Sequence, residues 1–215
     1  MATYLQLVND VLIRLRESQV TTVASTEYGT LIGKFINDGK LLVENAWDWD
    51  SLYTSISIAT TPSTSTYTVT GSGLRQKQVV VNNVTNKGTL INVPRSWILD
   101  QQQLTTVQSG SVTYYAWNGN NGTDSKVTFF PTPDSAETIT FNMYATQATL
   151  SADADVLLVP SEPVVAWAYA RAIVERGEDG GLAGSEALGI AKSMLSDYIA
   201  LEASRNSEND RWESV

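Results

Sequence analysis

The side chains that could carry out chemistry in this sequence are carboxylates, because its 215 residues include no Cys and no His. This composition excludes thiol and imidazole nucleophiles, imidazole acid–base catalysis, zinc fingers and disulfide bonds. Asp48 and Asp50 form one close pair of carboxylates. Active-site acid pairs normally come from separate elements, so we interpret these two aspartates as solvated residues at the exit of a helix.

A second pair of carboxylates, Asp153 and Asp155, could be read as metal ligands. A calcium loop needs further oxygen ligands at regular spacing and a closing Glu, and the apolar run at 156–158 supplies none. The pair therefore predicts a solvated loop that leads into a buried segment. The glycine-rich run at 177–181 is not followed by Lys-Ser or Lys-Thr, so it predicts a turn between two helices. We expect no enzymatic activity, no metal and no cofactor.

Aromatic residues before two Asn-Gly turns leave three interpretations open. Tyr114, Tyr115 and Trp117 could fill the core of a β-sandwich, with Trp117 at its edge, and we favour this interpretation. Sugar-binding modules use such aromatic residues as platforms beside polar side chains, and protein interfaces use them as anchors. The nearby polar residues are Asn118, Asn120, Asn121 and Asp124.

Two amphipathic helices are predicted at the N-terminus. Apolar residues recur at helical spacing from Thr3 to Arg16, and Thr3 followed by Gln6 resembles a capping box. The second predicted helix runs from a cap at 25–26 to about Trp47.

The hydrophobic period changes to two after Trp49, which predicts β-strands. The predicted strands cover 52–59, 67–70, 78–84, 89–93, 112–117, 126–130 and 138–144. Their Thr, Ser, Val and Tyr content suits an antiparallel sandwich or small barrel. One short helix is predicted within this region, at 96–104.

Helical spacing returns at Pro160 and predicts two more helices. Ser161 is the predicted N-cap of the first, which ends at Gly177, and the second covers about 185–204. An isolated helix pair buries little, so the economical arrangement is an α+β fold in which both pairs form a four-helix bundle with an inserted antiparallel β-sandwich or barrel. The predicted divisions are bundle helices at 1–50, a β-rich domain at 51–150, bundle helices at 151–204 and a flexible tail at 205–215.

The net charge of −9 is unevenly distributed, with −3 in residues 1–50, +1 in 51–150 and −7 in 151–215. No basic patch that would grip nucleic acid is evident. The sequence has no apolar stretch of about 18 residues that would predict a membrane span. Polar residues among the first sixteen also argue against a signal peptide.

Short motifs at both ends of the sequence match a known pattern. Val8–Leu12 reads VNDVL and precedes the short linker Gln19–Thr22, and Asn45–Trp49 ends the second predicted helix with the pattern Trp-x-Trp. Together with Tyr169–Arg171 in the first C-terminal helix, these motifs resemble the tail tubular protein A-like head-to-tail adaptors of short-tailed bacteriophages. The order of helices, strands and helices is also similar to that family.

The resemblance implies a virion protein of the tail or neck, assembled in the host cytoplasm and without catalytic residues. It implies a ring, commonly of twelve copies, that binds the portal protein on one side. The other side would bind the tail nozzle protein and, in some phages, tail fibres. Genomic DNA would pass through the lumen without specific binding, and no membrane would be involved.

Two sets of residues are candidates for these contacts. Arg211, Trp212 and Val215 belong to the polar tail, which we expect to be disordered when free and to dock on the portal through Trp212. A second set, chosen by charge, could line the channel and repel DNA phosphate, or could form an ordinary solvated face. Its members are Glu175, Glu178, Asp179 and Glu186.

Two alternative functions remain open. The β-rich segment could be a glycan- or receptor-binding tail module, although such modules rarely need flanking helix pairs. The helices would also suit a neck or completion protein of a long-tailed phage.

Overall fold

The computed structural model describes residues 2–103, 106, 108–177 and 182–205. Within these residues the protein has the predicted α+β fold, with five α-helices and two four-stranded sheets. The chain forms two compact units. The helical unit comprises Met1–Ser51 and Ala148–Val215, and the β unit comprises Leu52–Gln147.

Four of the helices belong to the helical unit, and the short third helix belongs to the β unit. The helices are α1 (Tyr4–Arg14), α2 (Glu27–Ala46), α3 (Arg95–Gln103), α4 (Ser161–Arg176) and α5 (Leu182–Ala203). Two short 3₁₀ turns, Val23–Ser25 and Asp50–Leu52, precede and follow α2.

The N-terminal helices begin at the caps that the sequence predicts. The Thr3 hydroxyl accepts a hydrogen bond from the Gln6 backbone, and the Gln6 side chain accepts one from the Thr3 backbone, so the capping box is complete. The Thr26 hydroxyl caps α2 by accepting a bond of 2.9 Å from the Gly29 amide. These caps satisfy amides that have no partner inside the helix.

The predicted cap of α4 is wrong. Pro160 takes the N-cap position with φ of −53° and ψ of 128°, and Ser161 is the first helical residue. The Ser161 hydroxyl donates to the Glu162 carboxylate at 3.2 Å, so it does not cap the helix. Pro163 lies in the first turn, where its missing amide costs no hydrogen bond. Gly177 ends α4 as predicted, in the left-handed conformation with φ of 66°.

Helix α4 packs against α1, α2 and α5. Gly39 lets α2 approach α4 closely, because a Cβ at this position would lie 3.1 Å from the Val164 carbonyl oxygen. Contacts on several sides explain why the apolar residues of α4 do not form a single stripe. Its buried residues are Pro163, Val164, Val165, Ala166, Ala168, Ala170 and Ala172.

Two sheets form the β unit, with strand orders β1-β8-β3-β4 and β2-β7-β6-β5. The strands are β1 (Tyr53–Ala59), β2 (Thr66–Thr68), β3 (Gln76–Asn83), β4 (Gly88–Thr89), β5 (Ile91–Asn92), β6 (Tyr114–Asn120), β7 (Ser125–Phe130) and β8 (Thr138–Ala145). All the pairings are antiparallel except that of β5 with β6, which is parallel.

The predicted strand at 89–93 is in fact two strands in different sheets. The Leu90 amide donates to the Val81 carbonyl in the first sheet, and the Ile91 amide donates to the Thr113 carbonyl beside the second. The chain therefore crosses from one sheet to the other at this point, and Leu90 is buried there. This crossing produces the parallel pairing that a wholly antiparallel prediction missed.

Side chains from both sheets meet in one hydrophobic core. Its buried members are Val69, Val81, Leu90, Val112, Tyr115, Val127, Phe129, Ile139, Phe141 and Met143. Tyr115 and Phe129, from the second sheet, lie with their ring centroids 6.0 and 6.2 Å from Phe141, from the first. Alternation along β7 and β8 thus directs apolar residues into the core.

Candidate functional site

The structure describes two of the four acidic residues predicted to line a channel. Glu175 is exposed in the last turn of α4, and Glu186 is exposed near the start of α5. Because Gly184 lies against Val174, these two carboxylates belong to the same end of the α4–α5 hairpin. The other predicted site residues lie outside the described residues. They are Glu178, Asp179, Arg211, Trp212 and Val215.

Asp153 and Asp155 lie in a solvent-accessible loop that leads into buried Leu157, and their carboxylates hold this loop together. Asp153 Oδ1 accepts a hydrogen bond of 2.9 Å from the Val23 amide. Asp155 Oδ2 accepts bonds of 2.7 and 2.8 Å from the Ser151 and Ala152 amides. These two bonds lower the pKa of Asp155 below its ordinary value. Among the described residues, no group of three or more acidic side chains is placed to hold a metal ion.

The aromatic residues of β6 are committed to packing on both of its faces. Tyr115 is buried in the main core, and half-buried Trp117 packs at its edge with a ring centroid 5.7 Å from Phe141. The indole nitrogen of Trp117 donates to Gln78 Oε1 at 3.0 Å. Tyr114 packs on the opposite face, where its ring centroid lies 5.0 Å from that of Trp97. This packing favours the core interpretation over a sugar-binding platform.

A cleft of about 340 Å³ lies in the helical unit, where α4 begins and α5 ends. Buried Trp49 lines it, and the Trp49 indole nitrogen donates to the Val43 carbonyl at 2.7 Å. Leu158, 37% exposed, contributes an apolar wall. Three carboxylate residues also line this cleft, which we call the α4–α5 cleft. They are Asp50, Glu162 and Glu202.

Glu162 is a stabilised carboxylate at the edge of the α4–α5 cleft. Burial acts to raise the pKa of Glu162, but hydrogen bonds from its own amide, Tyr198 and Ser161 outweigh that effect. The positive charge of Arg14 also contributes, so the pKa is lowered overall and the carboxylate is ionised at neutral pH. Burial in turn raises the pKa of Tyr198, as does its bond to Glu162.

Glu202 closes the other side of the α4–α5 cleft. Its Oε1 accepts a hydrogen bond of 3.2 Å from the Asp50 amide, which joins α5 to the segment after α2. Its Oε2 lies 3.4 Å from Nη1 of Arg205. Arg205 also lines the cleft, with its side chain 65% exposed. The close spacing of Asp48 and Asp50 did not predict this cleft. Glu162 and Glu202 are far from Asp50 along the chain, and the three residues come together only in the folded protein.

Exposed apolar side chains mark the outer surfaces of the helical unit. Ile190 and Leu201 on α5 are 60% and 54% exposed, and Leu41 and Leu42 on α2 are 38% and 43% exposed. Exposed apolar residues of this size are typical of protein interfaces when they cluster. The exposed apolar residues of α5 were weakly indicated by its sequence, because its apolar residues are not confined to one face.

The model of the SU10 adaptor protein family matches residues 2–214. The chain belongs to this family. It is therefore a structural adaptor protein of a phage virion, and the resemblance of its two ends to phage head-to-tail adaptors is confirmed. No curated protein matches the adaptor. Within the described part of the adaptor, no helix has both the length and the apolar character needed to span a membrane.

Proposed function

We propose that the adaptor forms a closed ring between the portal protein and the tail nozzle protein, with about twelve copies as the resemblance to head-to-tail adaptors implies. Genomic DNA passes through its lumen, and tail fibres dock on the nozzle side in phages that attach them there. The ring assembles in the host cytoplasm. The observation that carries this proposal is the match of the SU10 adaptor protein family to residues 2–214.

The two units have different parts in this proposal. Helices α1, α2, α4 and α5 act as a four-helix bundle, divided between residues 1–50 and 151–204, and carry the contacts between copies. The β-rich residues 51–150 act as a sandwich that offers docking surface to other tail components. The shared hydrophobic core of the two sheets supports the second assignment.

Exposed apolar residues on two different helices support side-by-side packing of the bundles. A ring requires heterologous contacts, in which one surface of a copy meets a different surface of the next. Ile190 and Leu201 of α5 form one such surface, and Leu41 and Leu42 of α2 form another. Because α4 contacts both helices, α2 and α5 flank it and can each face a neighbouring copy.

The tail at 205–215 docks on the portal in this proposal, with Trp212 as its anchor beside Arg211 and Val215. Glu175 and Glu186 face the lumen together with Glu178 and Asp179, where their negative charge repels DNA phosphate. The exposure of the first two carboxylates at one end of the α4–α5 hairpin supports this placement.

Truncation after Arg205 tests the docking role of the tail. The truncated adaptor should keep the melting temperature of the full chain but lose binding to purified portal rings. Trp212→Ala should reproduce most of this loss, and Ser207→Ala, in the same segment, is the matched control. Portal binding that survives both the truncation and Trp212→Ala would show that the tail is not the anchor.

A glycan-binding tail module is less well supported than the adaptor function. The indole of Trp117 donates a hydrogen bond to Gln78 and packs against the hydrophobic core, so it does not offer a platform for a sugar. A neck or completion protein of a long-tailed phage remains the second candidate, because the helical unit would serve a similar ring there. Binding to a portal from a short-tailed phage distinguishes the two.

A further inference from the structure

Strand β1 forms an open edge of the first sheet. It pairs with β8 on one side over all of Tyr53–Ala59, and among the described residues no strand pairs with its other side. The next residue, Thr60, donates its amide to the Glu137 carbonyl at 2.8 Å, so the even-numbered residues of β1 bond to β8. The amides and carbonyls of the odd-numbered residues therefore point to the open edge. These residues are Tyr53, Ser55, Ser57 and Ala59.

This open edge lacks the features that usually protect an edge strand. Natural edge strands are very short or carry Lys, Pro or a bulge. Strand β1 contains no charged residue and no proline, and its pairing with β8 has no bulge. Among the described residues, the other sheet edges are short, with three residues in β2 and two each in β4 and β5. Of these edges, β1 alone is long enough to accept a further strand of seven residues.

The sequence of β1 is complementary to itself. If two β1 strands run antiparallel with Ile56 opposite Ile56, the outward amides and carbonyls of both strands bond to each other, which gives about eight hydrogen bonds. Hydroxyl groups then face hydroxyl groups on the exposed side. Ile56 and Ile58 pack only partly against the core, so the second strand would cover apolar surface that they leave exposed. The facing pairs are Tyr53–Ala59, Thr54–Ile58, Ser55–Ser57 and Ile56–Ile56.

Charge also favours a second copy as the partner of this edge. Residues 51–150 carry a net charge of +1, whereas residues 1–50 and 151–215 carry −3 and −7. Two helical units therefore repel each other, but two β units repel each other little. No edge of another copy except its own β1 is long enough to pair along the whole strand, within the described part of the chain.

We propose that, in the free adaptor, two copies pair through β1 about a two-fold axis at Ile56. The four-stranded sheets of the two copies then join at their β1 edges into one continuous sheet. The contact is isologous, because each copy contributes the same surface. It is therefore complete with two copies and does not lead to larger assemblies.

The β1 dimer must open before the adaptor can form a ring on the portal. All copies in such a ring point the same way, so two copies related by the two-fold axis at Ile56 cannot both belong to it. Pairing through β1 thus lowers the apparent affinity for the portal by the fraction of copies that it holds. This consequence rests on the proposed function, whereas the pairing itself does not.

Disulfide formation tests the pairing and its register, because the chain has no cysteine of its own. In the dimer, two Ile56→Cys side chains face each other as a non-hydrogen-bonded pair with Cα atoms about 4.5 Å apart, which suits a disulfide. The matched control is Ile58→Cys, on the same face of β1, where the two substituted positions lie about 13 Å apart. Mild oxidation should cross-link Ile56→Cys at least about tenfold faster than Ile58→Cys. A mixture of Thr54→Cys and Ile58→Cys should also cross-link.

Ser57→Lys tests the edge without removing a core residue. It places a charge on the exposed side of β1, as natural edge strands do to prevent pairing. Light scattering of the unsubstituted adaptor should give one chain at low concentration and two at high concentration, and Ser57→Lys should raise the midpoint at least about tenfold. The control is Thr140→Lys on β8, directly opposite Ser57 but one strand away from the edge. It should move the midpoint by less than about threefold, and melting temperatures show whether both variants are folded.

Assembly on the portal supplies a further readout. At concentrations where the unsubstituted adaptor is dimeric, Ser57→Lys should add to portal rings several-fold faster, because fewer of its copies are held in pairs. Slower addition would mean that β1 contributes to the assembled complex, and an unchanged rate would mean that pairing withholds no copies. Either result overturns the competition between the β1 dimer and the ring.

The adaptor alone decides whether β1 pairs. A chain that stays monomeric up to about 1 mM overturns the proposal, and so does equal cross-linking of Ile56→Cys and Ile58→Cys. Growth beyond two copies overturns the two-fold arrangement. A monomer whose β1 is protected only by another tail component would assign the edge to that component instead of a second copy. Failure to bind the portal contradicts the proposed function and leaves the result on β1 standing.

Discussion

Glu137 illustrates how a single buried carboxylate can join separate parts of the β unit. It is 3% exposed, and its Oε2 accepts hydrogen bonds of 2.7 Å from the Asn83 side chain and 3.1 Å from the Val112 amide. Its Oε1 accepts a bond of 2.8 Å from the Asn86 side chain. The carboxylate therefore satisfies donors at the end of β3, in the turn after it and before β6.

Glu137→Leu keeps the approximate size of the side chain but removes these acceptors. Asn83 and the Val112 amide would then be buried without this partner, so the free energy of unfolding should fall by about 2–4 kcal/mol. Urea denaturation measures the change. Asp134→Asn, at an exposed position in the same loop, is the control and should have little effect. A loss below about 1 kcal/mol for Glu137→Leu would contradict the role of this network.

Substitution of Ala for two helical glycines should change the stability of the protein in opposite directions. A Cβ at Gly33 would overlap the Tyr4 hydroxyl and lie 3.0 Å from Tyr4 Cζ, whereas a Cβ at Gly189 would have no atom within 4 Å. Gly33→Ala should destabilise the protein by about 1–3 kcal/mol through overpacking. Gly189→Ala should stabilise α5 by about 0.5–1 kcal/mol. Thermal unfolding of the two variants checks the signs, and equal signs would contradict this packing.

At the scale of elements, the loop before α4 depends on Asp155. Its carboxylate accepts the Ser151 and Ala152 amides, and its own carbonyl accepts the Tyr4 amide at the start of α1. The Leu157 amide donates to the Ala2 carbonyl next to this pair. One short loop therefore fixes where the first helix begins.

Asp155→Asn should make the stability of the adaptor less dependent on acidic pH. The pKa of Asp155 is lowered in the folded protein, so its ionised form stabilises the fold above the unfolded pKa of about 3.9. That contribution is lost as pH falls through the folded pKa. The stability difference between the unsubstituted adaptor and Asp155→Asn should therefore shrink below about pH 4. Chemical denaturation from pH 7 to pH 3 measures it, with Asp38→Asn on α2 as control.

Local signals in the sequence predicted the helices well, and long-range contacts explain what was missed. The Thr3–Gln6 capping box and the end of α4 at Gly177 depend on neighbouring residues, so they could be identified. The crossing at Leu90 depends on carbonyls from two sheets, which periodicity does not reveal. The α4–α5 cleft was missed for the same reason, because its carboxylates are far apart along the chain.

At the scale of the whole molecule, charge and exposed apolar surface support an adaptor that assembles on a partner. The net charge is −9, which keeps separate copies apart and disfavours tight binding of DNA phosphate. The apolar residues exposed on α2 and α5 offer two different surfaces for contacts between copies. We expect assembly to require the portal as a template, because the portal holds copies close enough to overcome their repulsion.

The mass of the purified adaptor, alone and then mixed with portal rings, tests the central claim most directly. Light scattering should give a monomer or small oligomer for the adaptor alone. With the portal it should give a complex that contains about twelve added adaptor copies, the number that the resemblance to head-to-tail adaptors implies for a closed ring. An adaptor that leaves the mass of the portal unchanged would contradict the proposed ring between portal and tail.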